Sequence, residues 1–268
     1  MERHVMAGAL TASLLLGGFT LSLAEPVAVR YAEGLVHGFL ALRTLDGTLL
    51  ANGDLIQAAH GGRVTSQLTF HFKDGSVSDE TAIFTESGKF RLLSDHVTQK
   101  GPTFPRPLDM AIDAQAGRVT VRYKDDDGKE KVEDKQLELP PDLANGMMIV
   151  LLKNVTPKTL PSSLSYVAAT PKPQLVKLIV TPAGLEPFSI VGSGRQAEHY
   201  VIKVEIGGLA GVVAPILGKE PPLNHLWILQ GPAPAFVKSE GPLYVGGPSW
   251  RIELTSPVWP GARPAAKQ

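Results

Sequence analysis

Val64-Thr65-Ser66-Gln67-Leu68-Thr69-Phe70-His71-Phe72 decides the fold class. Val64, Leu68, Phe70 and Phe72 recur on one side of a period-two pattern, and Thr65, Gln67, Thr69 and His71 on the other, which predicts a half-buried strand. Asp74-Gly75 then turns the chain, and Asp79 to Glu86 supplies a partner, so the pair reads as a hairpin. Gly88 opens a third strand. Gly34 to Arg43 and Asp54 to Ala59 read as two earlier strands. Arg118 to Tyr123 is a later one, turned at Asp125-Asp126-Asp127-Gly128 into a polar strand ending near Leu139. The amino-terminal half is a meander.

Pro140-Pro141 lead into Asp142, which is placed to cap a helix over 142–153, with Leu143, Met147, Val150 and Leu151 on one face and Lys153 and Asn154 at its end. That stripe predicts a helix laid against the inner face of the sheet. Asn145 and Gly146 form helices poorly, so its start is expected to slip later than Asp142. Beyond the proline-rich stretch Pro157 to Pro161, Gln174 to Val180, Ala197 to Ile206, Leu226 to Leu229 and Trp250 to Leu254 read as further strands. Gly192-Ser193-Gly194 reads as part of a hairpin loop. About a dozen strands with one covering helix predict a mainly β chain: a curved antiparallel sheet or partly closed barrel.

The ends carry separate signals. Arg3 and His4 precede an apolar run from Val5 to Phe19, and Ser22-Leu23-Ala24 has the small residues of a cleavage site, so residues 1–24 read as a signal peptide. Residues 25–256 are then expected to form a single β-rich domain, and 257–268 a flexible proline-rich tail, in a periplasmic or secreted protein. No later stretch reaches the roughly 20 apolar residues of a membrane-spanning helix. Cysteine is absent, which excludes disulfides, thiolate metal sites and a cysteine nucleophile. With 26 basic and 26 acidic side chains, the composition argues against a nucleic-acid partner held by net charge.

Catalytic motifs are weak. His37, His60, His71, His96, His199 and His225 show no four-residue pairing of a zinc helix, so no metal is expected. Gly192-Ser193-Gly194 lacks the flanking glycines of a nucleophile elbow. The run ending Ile206-Gly207-Gly208-Leu209-Ala210-Gly211 fails the dinucleotide fingerprint, because Ile206 holds the first glycine position, and no cofactor is expected. His71 and His199, on the polar sides of strong strands, are the histidines to test for chemistry. For ligand or partner contact the preferred residues are Leu209, Val212, Val213, Ile216 and Leu217, an apolar cluster flanked by Gly207-Gly208 and Gly218 that reads equally as a loop folded back to plug the core.

Glu33-Gly34-Leu35-Val36-His37-Gly38-Phe39, Leu139-Pro140-Pro141-Asp142-Leu143-Ala144-Asn145-Gly146 and Trp250-Arg251-Ile252-Glu253-Leu254-Thr255-Ser256-Pro257 resemble a family of uncharacterised bacterial proteins with export signals. The meander with its intervening helix is similar in architecture to periplasmic half-barrels of the LolA, LolB and LppX type. That resemblance implies an apolar cavity for lipid chains, and it carries no binding residue over to this chain. Three functions follow as expectations: a non-enzymatic envelope protein that holds a lipid or other apolar ligand in a β-rich cavity, an adaptor for an envelope protein, and, third, a hydrolase.

Overall fold

The structure is a computed structural model and describes residues 25–125, 127–161, 163–190, 192–205 and 221–256. In the first half run β1 (Val36–Thr44), β2 (Leu49–His60), β3 (Arg63–Phe72), β4 (Val77–Thr85), β5 (Arg91–Lys100), β6 (Leu108–Asp113), β7 (Arg118–Lys124) and β8 (Glu130–Gln136). A short helix, α1 (Met148–Lys153), separates them from β9 (Leu164–Ala168), β10 (Gln174–Ile190), β11 (Ser193–Glu205), β12 (Asn224–Leu229), β13 (Ala235–Pro242) and β14 (Ser249–Leu254). All fourteen belong to one antiparallel sheet in the order β8-β7-β6-β5-β4-β3-β2-β1-β14-β13-β12-β11-β10-β9. The sheet therefore spans both sides of the proline-rich stretch, and the pairing of β1 with β14, Leu40 opposite Leu254 and Thr44 opposite Trp250, joins its halves. β8 and β9 are its free edges, so the sheet curves without closing.

Alternation places the core on the inner face. Val64, Phe70 and Phe72 of β3, Ala82 and Phe84 of β4, Met110 and Ile112 of β6, and Val119 and Val121 of β7 are buried there, and Tyr200, Ile202, Leu226 and Ile228 are buried in the second half. Gly53 is required opposite Phe70, because a Cβ there would sit 2.4 Å from the Phe70 ring. At one end of the roll Phe72, Phe104, Tyr244 and Trp250 pack ring against ring, with centroids 5.4 to 5.9 Å apart.

The helix expected over 142–153 is shorter, occupying Met148–Lys153. Gly146 takes a left-handed conformation, φ +64°, which ends any helical run from Asp142. Asp142 is no N-cap: its Oδ2 accepts from the Ser165 N–H at 3.0 Å and hydroxyl at 3.1 Å. Asn145 likewise pairs both main-chain groups of Val167, at 2.9 and 3.0 Å. These side chains cover the free edge of β9, a use that competes with helix. The stripe itself behaves as expected, for Leu143, Met147, Val150 and Leu151 are all buried. Asn154 ends the helix and anchors the incoming chain, since its Oδ1 accepts from the Arg30 and Tyr31 N–H groups while its Nδ2 donates to Val150 O.

β10 and β11 run on well past the other strands. Thr181 to Pro187 are exposed, although they pair with β11 as far as Ile190 opposite Ser193. Pro182 and Pro187 are tolerated in β10 because β9 pairs only with Gln174 to Leu178, leaving one edge of the later residues without a ladder to break.

Candidate functional site on the concave face

Inward positions of the first half are not uniformly apolar. Register puts Gly38, Leu55, Leu68, Glu80 and Val97 in one row across β1 to β5, and Gln57, Ser66, Ala82 and Asp95 in the adjoining row across β2 to β5. Gln57 donates to the Ser66 hydroxyl at 3.3 Å, and Gln99 to Leu243 O at 2.9 Å. Those amides have partners. Asp95 does not: it is 1% exposed and neither carboxylate oxygen has a hydrogen-bond partner.

Asp95 and Glu80 are diagonal neighbours on adjacent strands, facing the same interior. Across from them, Tyr166 of β9 shares the inward face with Val176 and lies within electrostatic reach of both carboxyls. The turn before α1 completes the group. A Cβ on Gly146 would lie 2.4 Å from the Ala82 Cβ and 2.9 Å from Asp95 Oδ1, so only glycine lets the turn settle on the acid pair, and its N–H bonds Glu80.

Burial governs the chemistry here. It raises Glu80 to about 7, helped by the charge of Asp79 and opposed by the Gly146 N–H. Burial, then the charge of Glu80, pushes Asp95 well above the usual carboxylate range. Tyr166 is pushed upward by burial first and by the two acids second. The pair therefore retains protons under conditions where exposed carboxyls have lost theirs. Glu80 and Tyr166 are nonetheless only half-buried, as are their inward neighbours Leu68 and Val97 and, in the second half, Val204. At the rim Val36 is 37% and Leu254 49% exposed, with Leu254 reaching within 3.6 Å of a Cβ built on Gly38. Two other recesses, of about 230 Å³ beside Leu108 and Tyr123 and about 290 Å³ beside Leu92 and Pro141, are not lined by Glu80, Asp95 or Tyr166.

The convex face has a different cluster. His199 stacks on Trp227 with centroids 4.2 Å apart and planes at 8°. Its Nδ1 lies 2.8 Å from Glu186 Oε1, its Nε2 lies 2.9 Å from His225 Nδ1, and the Trp227 indole donates to Glu186 Oε2 at 2.8 Å. A carboxylate only accepts, so neutral His199 donates at Nδ1 and accepts at Nε2 from His225. Burial lowers the His199 pKa, with Glu186 pulling the other way. Lys238 lies 3.8 Å over the Trp227 ring and pairs with Glu240, which also binds Arg251.

His71 is exposed on the outer face of β3. His199, by contrast, is built into the convex cluster, which ties the base of the long hairpin to β12. Leu209, Val212, Val213, Ile216 and Leu217 lie outside the described residues, as do the expected signal peptide and tail. Neither Glu80 nor Asp95 was expected from the sequence. The signal available was phase: counting back by twos from Phe84 and Ala82 brings Glu80 inward, and counting from Val97 does the same for Asp95.

No protein-family model and no curated protein matches the chain. Among solved structures it is similar to the hypothetical lipoprotein YmcC from Escherichia coli, with 11% identity, a TM-score of 0.36 and coverage of 84% of this chain and 86% of that one. It is also similar to a β-barrel-like protein of the domain of unknown function DUF1849 from Brucella abortus, with 10% identity, a TM-score of 0.44 and coverage of 84% and 98%.

Proposed function

We propose that this chain is a non-enzymatic protein of the bacterial envelope that holds an apolar, lipid-like molecule against the concave face of its sheet. The supporting observation is that inward apolar side chains remain partly open: Leu68, Val97 and Val204 are half-buried, and the rim residues Val36 and Leu254 more exposed still. Inward apolar surface left open to water is stabilised by whatever covers it, and an acyl chain contributes roughly 0.8 kcal/mol per methylene that it desolvates. An envelope location rests on residues 1–24, whose charged start, apolar run and Ser22-Leu23-Ala24 read as an export signal. The reading gives no side chain a catalytic role.

Native mass spectrometry of the protein purified from its own envelope tests it. A copurifying lipid-like mass is expected, and a ligand-free protein that also fails to take up an added fatty alcohol overturns the reading. The adaptor alternative is favoured by the long hairpin, where Leu185 is 56% and Ile190 55% exposed. A stoichiometric protein partner in place of a lipid would move the assignment there.

A further inference from the structure

We propose that Glu80 and Asp95, with Tyr166 facing them, form a subsite for the ammonium group of an amphiphilic amine whose chain lies along Leu68 and Leu55 toward Gly38. The inference rests on the concave-face reading above and names the ligand class that face would take.

Position is the first argument. Glu80 lies in the same inward row as Leu68, Leu55 and Gly38, so an apolar strip runs from the rim straight to a carboxyl group. A molecule that fits this strip is apolar along its length and polar at its inner end. The second argument is the unmet demand of Asp95, which is sealed beneath Gly146 with both oxygens lacking partners. A buried polar group without a partner is unfavourable, and a donor reaching it from the side of half-buried Glu80 would relieve that cost.

Charge then selects among donors. Among the described residues the inward positions of β1 to β7 and β9 to β14 carry glutamine, serine, asparagine and acids but no lysine or arginine. The inward lysines lie on the edge strand β8, three strands from Asp95, where Lys131 pairs with Asp125 and Lys135 donates to Pro173 O. The groups facing the pair are few. Tyr166 comes from β9, the Gly146 N–H from the turn, and Asp79 acts from the opposite face of β4. The turn's own carboxylate, Asp142, is held by Ser165 through Oδ2, while its Oδ1 has no partner. Two acids with no cation on the strands beside them repel a carboxylate or phosphate head and favour an ammonium group. A zwitterionic phospholipid fits less well, because among the described residues its phosphate would meet no basic group on the strands beside Glu80.

Isothermal titration of the full chain with dodecylammonium, dodecanol and dodecanoate, all below their micelle concentrations, tests the subsite. At about pH 7.5 the amine is expected to bind about tenfold or more tighter than the alcohol, with the carboxylate weakest. The amine preference should shrink toward about pH 5, where Glu80 holds its proton. Glu80→Gln should remove the preference, bringing the amine down to the affinity of dodecanol for the same variant; Asp95→Asn provides the same test if the first variant folds poorly. Dodecanol binding without an amine preference in the wild type overturns the subsite alone, and so does a preference that survives both substitutions. If no probe binds, the concave-face reading fails and the subsite with it.

Discussion

Two clusters of ionisable groups lie on opposite faces of the same sheet and differ in how their polar atoms are met. On the convex face Glu186, His199, His225 and Trp227 satisfy one another at 2.8 to 2.9 Å, and Lys238, Glu240 and Arg251 extend the network. On the concave face neither Asp95 oxygen has a partner in hydrogen-bond geometry, and only backbone N–H groups act on the pair as donors, Gly146 on Glu80 and His96 on Asp95. A polar cluster that is complete in itself stabilises the fold at that point. One that is incomplete and sits in an apolar interior leaves a demand that a ligand can meet. Counting titratable residues would rank the convex cluster first; the unmet hydrogen bonds reverse that order.

The severest way to break the comparison is to put an acid without any partner into the apolar core. Met147 is buried in the apolar core, and Met147→Asp would set an unpaired carboxyl there. A loss of about 3–5 kcal/mol is expected, read from urea unfolding. A midpoint matching the wild type would show that the turn and α1 do not pack as described.

pH separates the two faces by sign. Glu80 is raised from 4.5 to about 7, so the folded state binds more protons than the unfolded one across that window. Its contribution is present below about pH 4.5 and lost as pH rises to about 7. Glu80→Gln with Asp95→Asn should therefore stabilise the protein at neutral pH relative to wild type, on the order of 2 kcal/mol, with the gap closing near pH 4.5. Thermal unfolding of both proteins across that range measures it. A gap that does not depend on pH would mean that the pair is not held protonated. His199 runs the other way. Its lowered pKa favours the neutral ring in the fold, so its contribution is present above the ordinary imidazole value of 6.5 and lost as pH falls.

The smallest effect belongs to the convex network. His199→Ala removes the Trp227 stack and the contact to Glu186, and a cost of about 1–2 kcal/mol is expected together with faster proteolysis of the long hairpin. Esters, peptides and glycosides should show no turnover that His71→Ala or His199→Ala abolishes. A reproducible hydrolysis lost with His199 would turn the Glu186–His199–His225 chain from a structural element into a proton relay.

Much of the sheet was legible because alternation is a local property. Val64 to Phe72 fixes β3 almost to the residue, and glycine turns at 61–62, 75 and 128 mark where strands end. β6, β9 and β13 were missed. Leu108–Asp113 and Leu164–Ala168 are short, and Ala235–Pro242 contains Lys238, Ser239 and Glu240 with little apolar contrast. The reach of β10 through Pro182 and Pro187 was also hidden, since a proline breaks a strand only where a neighbour needs its missing N–H.

The sequence by itself determined the strand periodicity, the turns, the burial of Leu143, Met147, Val150 and Leu151, and the mainly β class, because each depends on residues a few positions apart. Tertiary structure alone decided that β1 pairs with β14 some 200 residues away, as in Arg43 beside Glu253. It also decided that Asp142 and Asn145 serve the edge of β9 instead of a helix, and that Glu80, Asp95 and Tyr166 meet. Val77-Ser78-Asp79-Glu80-Thr81 has no apolar contrast from which to read a face. Phase carried back from Phe84 and Ala82 turns Glu80 inward, but only its register against Leu68 and Val97, set by the pairing of the whole sheet, brings it beside Asp95 and Tyr166.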